Sequence, residues 1–190
     1  MAMTMILLST VTNTYAQQAE KICTFSIHKD DIKVKWEAFK LPTKVGVWGQ
    51  FTKSEITGET QGKSIMEIVK DMTLTIDSQA LATKDASRDK KIADFFFGTM
   101  QNKSIKAITK KVSEENLEME ITLNGISRIV PFSYTFQNGN FKATGVLDIF
   151  DFKMNSGLDA INKACKDLHQ GKTWNDVNLE VIAKFKKKCI

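Results

Sequence analysis

Apolar and polar side chains alternate with a period of two along most of the chain, which puts every second residue on one face of an extended strand. Cys23, Phe25 and Ile27 share a face in the first such run. Ile32, Val34, Trp36 and Ala38 share one in the second, opposite Lys33, Lys35 and Glu37. Val45, Val47 and Phe51 mark a third run, and Met72, Leu74 and Ile76 a fourth, with Thr73 and Thr75 between them. The stretch SIKAITKKV, 104–112, is a weaker strand, read as an edge or as strongly bent. Three clear runs follow: Leu117, Met119, Ile121 and Leu123; then Val130, Phe132, Tyr134 and Phe136; then Phe141, Ala143, Gly145, Leu147 and Ile149. The last carries Val177, Leu179, Val181, Ala183 and Phe185 on one side, with Glu180, Lys184 and Lys186 on the other.

Asn124-Gly125 and Asn138-Gly139 separate neighbouring runs, and Asn-Gly suits the positive φ angles of a tight hairpin turn. Three stretches read as helices instead. Leu158, Ile161, Cys165 and Leu168 are spaced three, four and three apart, one apolar face of a helix that Ser156 can cap and Gly171 can end. GKSIMEIVKD is a shorter helix, and SRDKKIADFFFG a third, with Ser87 as expected N-cap and Gly98 as stop. Eight or nine antiparallel strands with sparse helices predict a mainly β fold, a sandwich or a barrel. Closure removes the edges of strands this long, so the expected architecture is an eight-stranded antiparallel β-barrel with two or three short helices. A barrel of that size is just wide enough to hold one slim ligand.

Composition narrows the picture. A chain of 190 residues with 42% hydrophobic and 26% charged residues is ordinary for one folded domain and wrong for disorder. The net charge of +5 comes from lysines spread along the chain, a solvated surface more than a nucleic-acid patch; no RNA-binding, zinc or helix-turn-helix signal supports nucleic acid as a partner. The first charge is Glu20. Before it, an apolar run from Met5 to Val11 and the small residues up to Ala16 read as a signal peptide over 1–16, although the basic start is missing. The expectation is a single domain over 17–190, periplasmic or secreted, as a monomer or dimer.

The middle of the chain, TIDSQALATKDASRDKKIADFFF, resembles the YceI family, the lipocalin-like polyisoprenoid-binding proteins of bacteria. The resemblance is carried by Ser78, Thr83, Arg88, Asp89, Asp94, Phe95 and Phe96, in order and spacing. The strand DDIKVKWEAFK, the following VGVWGQF and the hairpin LNGISRIVPF match it too, so that similarity runs from about Ile22 to Lys187. Lys40 departs from the pattern near a place where the family often has histidine, and the helix over 156–170 with the GKTW after it looks like a subfamily feature. The resemblance implies a lipocalin-like barrel whose apolar cavity holds a polyisoprenoid or fatty-chain molecule. Each methylene moved from water into such a tube gains ~0.8 kcal/mol, so binding needs no covalent chemistry and no cofactor.

Inward phase and size together nominate the ligand wall: Val34, Trp36, Phe95, Phe96, Met119, Phe132, Tyr134 and Leu147. Of the rings Phe95, Phe96 and Phe97, adjacent on a helix and so about 100° apart, one or two are expected to plug the barrel and the remainder to line its mouth. Trp48 is out of phase and is expected outside, under a helix. Arg88 and Asp89 read as structural, tying a loop and a helix start. His28 and His169 sit in no metal-ligand spacing and pair with no nucleophile, so no enzyme and no metal site is expected. In a closed antiparallel barrel the end of the last strand lies beside the start of the first, which brings Cys189 to Cys23 in matching phase. The rival pairing, Cys165 with Cys189, requires the helix to cross the barrel end. Two functions remain: binding of a long hydrophobic ligand (isoprenoid, quinone or fatty-acid derivative) for carriage or storage, with transient contact with a membrane surface; or a filled-barrel module docking a membrane redox or stress-response partner.

Overall fold

The alternating runs form an antiparallel sheet in the computed structural model, which describes residues 22–190, His169 by its backbone alone. Its segments are β1 (Cys23–Ile27), β2 (Lys33–Lys40), β3 (Val45–Phe51), β4 (Ser54–Thr57), β5 (Gln61–Gly62), β6 (Thr73–Asp77), β7 (Leu81–Ala82), β8 (Ser104–Val112), β9 (Asn116–Leu123), β10 (Ile126–Gln137), β11 (Asn140–Asp148) and β12 (Thr173–Cys189). The helices are α1 (Ile65–Val69), α2 (Ala86–Lys91), α3 (Asn155–Ala164) and α4 (Lys166–His169). The segment read as a signal peptide lies outside the described residues.

Hydrogen-bonded neighbours follow the path β4-β6-β8-β9-β10-β11-β12-β2-β3-β7. The two ends of that path meet. β3 continues into β4 and β6 into β7, and the breaks are bridged by Thr52 N–H donating to Ala80 O at 2.8 Å and Asp77 N–H to Lys53 O at 3.1 Å. With each bent pair taken as one strand, the ten segments on the path make eight strands curled round a common interior. β1 and β5 stand off this ring, β1 pairing with the end of β12. Contrary to the expectation of an edge, β8 is paired on both sides, by β6 and β9, and bends at an irregularity between Thr109 and Lys111. Asn124-Gly125 and Asn138-Gly139 all have φ between 51° and 79°, as two-residue hairpins demand.

The two ends of the barrel differ. At the base, β1 pairs Cys23 with Cys189, and the two sulfurs are bonded. α1 packs there with Ile68 and Val69 buried, and its start is fixed by reciprocal bonds: Glu67 N–H to Ser64 Oγ at 3.2 Å and Lys63 N–H to Glu67 Oε2 at 2.7 Å. α2, α3 and α4 gather at the other end, the mouth. Asp85, not Ser87, caps α2, its carboxylate accepting the Arg88 N–H at 3.0 Å. No side chain caps α3, which begins at Asn155, and the helical run breaks at Cys165 before α4. It does cross the barrel end, but the end away from Cys189, so Cys165 is a buried free thiol.

Candidate ligand-binding cavity

Inside the mouth half lies a cavity of about 410 Å³, within the range of small-molecule sites. Its walls are inward positions of the strands: Val34, Trp36 and Ala38 from β2, Ile105 and Ala107 from β8, Met119 and Ile121 from β9, Val177, Leu179 and Val181 from β12. Leu74, Met119 and Val181 form its floor, because they also line a small void of about 30 Å³ beneath. The largest rings on the wall lie across from glycines. Trp36 pairs with Gly49 and Phe132 with Gly145. A Cβ on Gly49 would collide with the indole Cζ2, and one on Gly145 would stand 2.9 Å from the Phe132 Cδ1. The rings therefore lie down against bare backbone, which a larger residue at either position would prevent. The indole N–H of Trp36 is buried with no acceptor.

Helices roof the cavity. Leu158, Ile161, Cys165 and Leu168, the apolar stripe spaced three, four and three apart, all line it. Opposite them, Ile92, Phe96 and Phe97 come from a π-helical turn over Ile92–Phe96 and the 3₁₀ turn after it. Phe97 is buried against Phe51, ring centroids 6.0 Å apart, and meets Phe96 edge-on at 4.9 Å. The segment entering this roof is held by a knot of bonds. Arg88 donates through Nε to Thr83 Oγ1 at 2.7 Å and through Nη2 to Thr83 O at 2.6 Å, while the Thr83 N–H donates to Asp89 Oδ1 at 2.8 Å. Arg88 and Asp89 thus serve the structure.

The mouth is polar on one rim, with Lys40, Asp85, Ser87, Arg88, Lys91 and Thr173. The Arg88 N–H that Asp85 accepts holds its carboxyl below the usual range. Trp174 closes another part of the rim, its ring N–H on Leu41 O at 2.9 Å, with Lys44 and Lys172 over its face. Among the described residues, no group of three or more His, Cys, Asp or Glu is placed to hold a metal ion. His28 is exposed beside Asp30.

Of the residues nominated from sequence, Val34, Trp36, Phe96, Met119, Phe132 and Leu147 line this cavity. Phe95 and Tyr134 do not. Phe95 is 43% exposed, because the two inward places on its turn are taken by Phe96 and Phe97. Tyr134 faces inward but one level too low. It packs on Phe141 in the base, and its hydroxyl donates to Ser113 O at 2.6 Å. Burial, with Glu114 and Glu115 nearby, raises its pKa. Trp48 is outside as expected, but half exposed instead of covered. The α3–α4 stripe was visible as an amphipathic helix, while its role as roof was not.

The model of the YceI-like domain matches residues 25–185 of this chain. The chain belongs to the YceI-like family. The same fold recurs in solved structures of low identity. A polyisoprenoid binding domain from Saccharophagus degradans implicated in plant cell wall breakdown is 11% identical, with a TM-score of 0.59 over 88% of this chain and 99% of that one. BcnA of Burkholderia cenocepacia is 14% identical, with a TM-score of 0.57 over 84% and 99%. A mutant CJ YCEI protein carrying a monobromobimane guest is 18% identical, with a TM-score of 0.51 over 76% and 86%. No curated protein sequence matches the chain. As a YceI-like domain it has a lipocalin-like barrel, and an apolar interior suited to a hydrophobic ligand.

Proposed function

We propose that the protein binds one long hydrophobic chain, an isoprenoid, quinone or fatty-acid derivative, in the mouth-half cavity and holds it for carriage or storage. The observation that carries this reading is the cavity itself: about 410 Å³ lined almost wholly by aliphatic and aromatic side chains, open at one end. An apolar space of this size is a poor host for water, which needs several polar partners, and a good one for methylenes. Val34, Trp36, Met119, Phe132 and Leu147 form the wall of the site and Phe96 part of its roof. The polyisoprenoid binding named for the Saccharophagus degradans domain supports the same class of guest. A filled-barrel docking module draws no support from a hollow mouth half. The protein acts as a binder and not as an enzyme, and the Cys23–Cys189 bond suits an oxidising compartment such as the periplasm or the cell exterior.

Native mass spectrometry of the protein purified without detergent, before and after solvent extraction, tests the reading. A co-purified apolar guest that extraction removes, and that a long-chain alcohol replaces, is the expected result. A mass equal to the bare chain throughout, with no uptake of any long-chain alcohol, overturns it.

A further inference from the structure

The mouth of the cavity is rich in donors and short of acceptors. Lys40, at the end of β2, and Lys91, at the end of α2, both line it and are half-buried. Among the described residues no carboxylate lies within ion-pair distance of either ammonium, whereas Lys44 beside them is engaged by Asp176 at 2.7 Å. Thr173 is the strand partner of Lys40, so both side chains rise on the same face, and its hydroxyl is buried without a hydrogen-bond partner. Two other charged groups line the mouth. The Asp85 carboxylate caps α2 and meets the Lys91 charge only beyond ion-pair distance, and two donors of Arg88 are spent on Thr83. Two ammoniums at the rim of an apolar cavity, neither in a direct ion pair, leave donors there that an ionised carboxylate or phosphate, which only accepts, satisfies.

Building on the cavity reading above, we propose that the mouth selects an anionic head group, carboxylate or phosphate, on a single-chain amphiphile, gripped by Lys40, Lys91 and the Thr173 hydroxyl. The chain then runs inward past Trp36 toward the floor at Met119. A neutral alcohol head fills the same tube but leaves both ammoniums unpaired. A quaternary ammonium head adds a like charge.

The test holds the chain constant and changes the head. Hexadecanol, hexadecanoate, hexadecyl phosphate and hexadecyltrimethylammonium are titrated below their micelle concentrations into the whole protein and into the Lys40→Gln/Lys91→Gln double variant. In the wild type, hexadecanoate or hexadecyl phosphate should bind about tenfold or more tighter than hexadecanol, as charge-assisted bonds of this kind imply. Which of the two does so separates a carboxylate from a phosphate source. The double variant should lose that advantage and keep its affinity for hexadecanol. In the wild type alone, rising salt should shrink the advantage while leaving hexadecanol binding unchanged, a readout that does not depend on the variant folding. Equal affinity for anionic and neutral heads, or a preference that survives both substitutions and high salt, overturns the head-group proposal with the cavity reading intact. If hexadecanol also fails to bind, the cavity reading falls, and the proposal with it.

Discussion

From mouth to base, the inward residues of β12 run Val177, Leu179, Val181, Ala183 and Phe185. The first three are only half-buried although they point into the barrel; the last two are buried. The same strand, in the same phase, lines a hollow in one half and a solid core in the other. In the base, the rings of Phe25, Phe136 and Phe185 meet edge-on at 6.0 and 5.7 Å, and Phe141 bridges Phe185 and Tyr134 at 6.1 and 5.1 Å. Above them, a void of only about 30 Å³ remains, lined by Phe141 and Phe185 among aliphatic side chains. In the mouth half, β12 presents Val177, Leu179 and Val181 instead, the Trp36 and Phe132 rings lie down against Gly49 and Gly145, and about 410 Å³ stays open. Period-two patterning decides which face is inside. The volume of the side chains at each level decides whether that inside is a core or a container.

The contrast is sharpest in truncation. Phe185→Ala in the base should cost about 3–5 kcal/mol, because a packed ring leaves a cavity that its neighbours cannot fill. Val177→Ala, at a wall already facing open space, should cost under about 1 kcal/mol, because it loses transfer energy and few packing contacts. Denaturant midpoints of the two variants measure the difference, and equal costs would erase the distinction between the halves. Reduction of the Cys23–Cys189 bond, which links residues 166 apart in sequence, should cost about 2–4 kcal/mol of stability. It should leave the affinity for a long-chain alcohol unchanged, since the staple serves the base alone.

The reverse experiment fills the mouth. Ala107→Phe projects a ring into the cavity and displaces about three or four methylenes of a guest, at ~0.8 kcal/mol each, for roughly a hundredfold loss in affinity. Calorimetric titration reads that loss, and thermal unfolding should show no matching destabilisation, because the ring enters space instead of competing for it. The smallest effect concerns the outer wall. Burial works against ionisation of Glu180, but Lys142, bonded to it, and Lys35 hold its pKa below the ordinary 4.5. A folded-state pKa depressed in this way contributes stability above the unfolded value and loses it as pH falls through the folded one. The acid limb of a stability profile should therefore flatten below about pH 4.5 in Glu180→Gln, with binding untouched.

Period-two alternation made the strands legible, and the antiparallel closure made the Cys23–Cys189 pair legible from phase and position. The hollow was not legible in the same way. Tyr134 was nominated for the ligand wall because its phase is inward, but phase does not report depth along a strand, and Tyr134 sits one level below the cavity. The triple phenylalanine announced a roof without saying which ring turned outward, because the π-helical turn over Ile92–Phe96 changes the angle between successive side chains. Ser87 looked like the cap of α2 because the next residues are helix formers, while Asp85, two positions earlier, holds the Arg88 N–H. The roof helix was read correctly as amphipathic; which surface its stripe covered depends on long-range packing that spacing does not encode.

Cys165 offers the most direct test of the central claim, because this buried thiol lines the cavity and is the free cysteine of the chain. Its alkylation by a small neutral maleimide should slow by about tenfold or more when hexadecanol or farnesol saturates the protein, in proportion to occupancy, if the guest fills the space over the thiol at an affinity set by its buried methylenes. An unchanged alkylation rate with the guest demonstrably bound would place that guest outside the barrel and contradict the account.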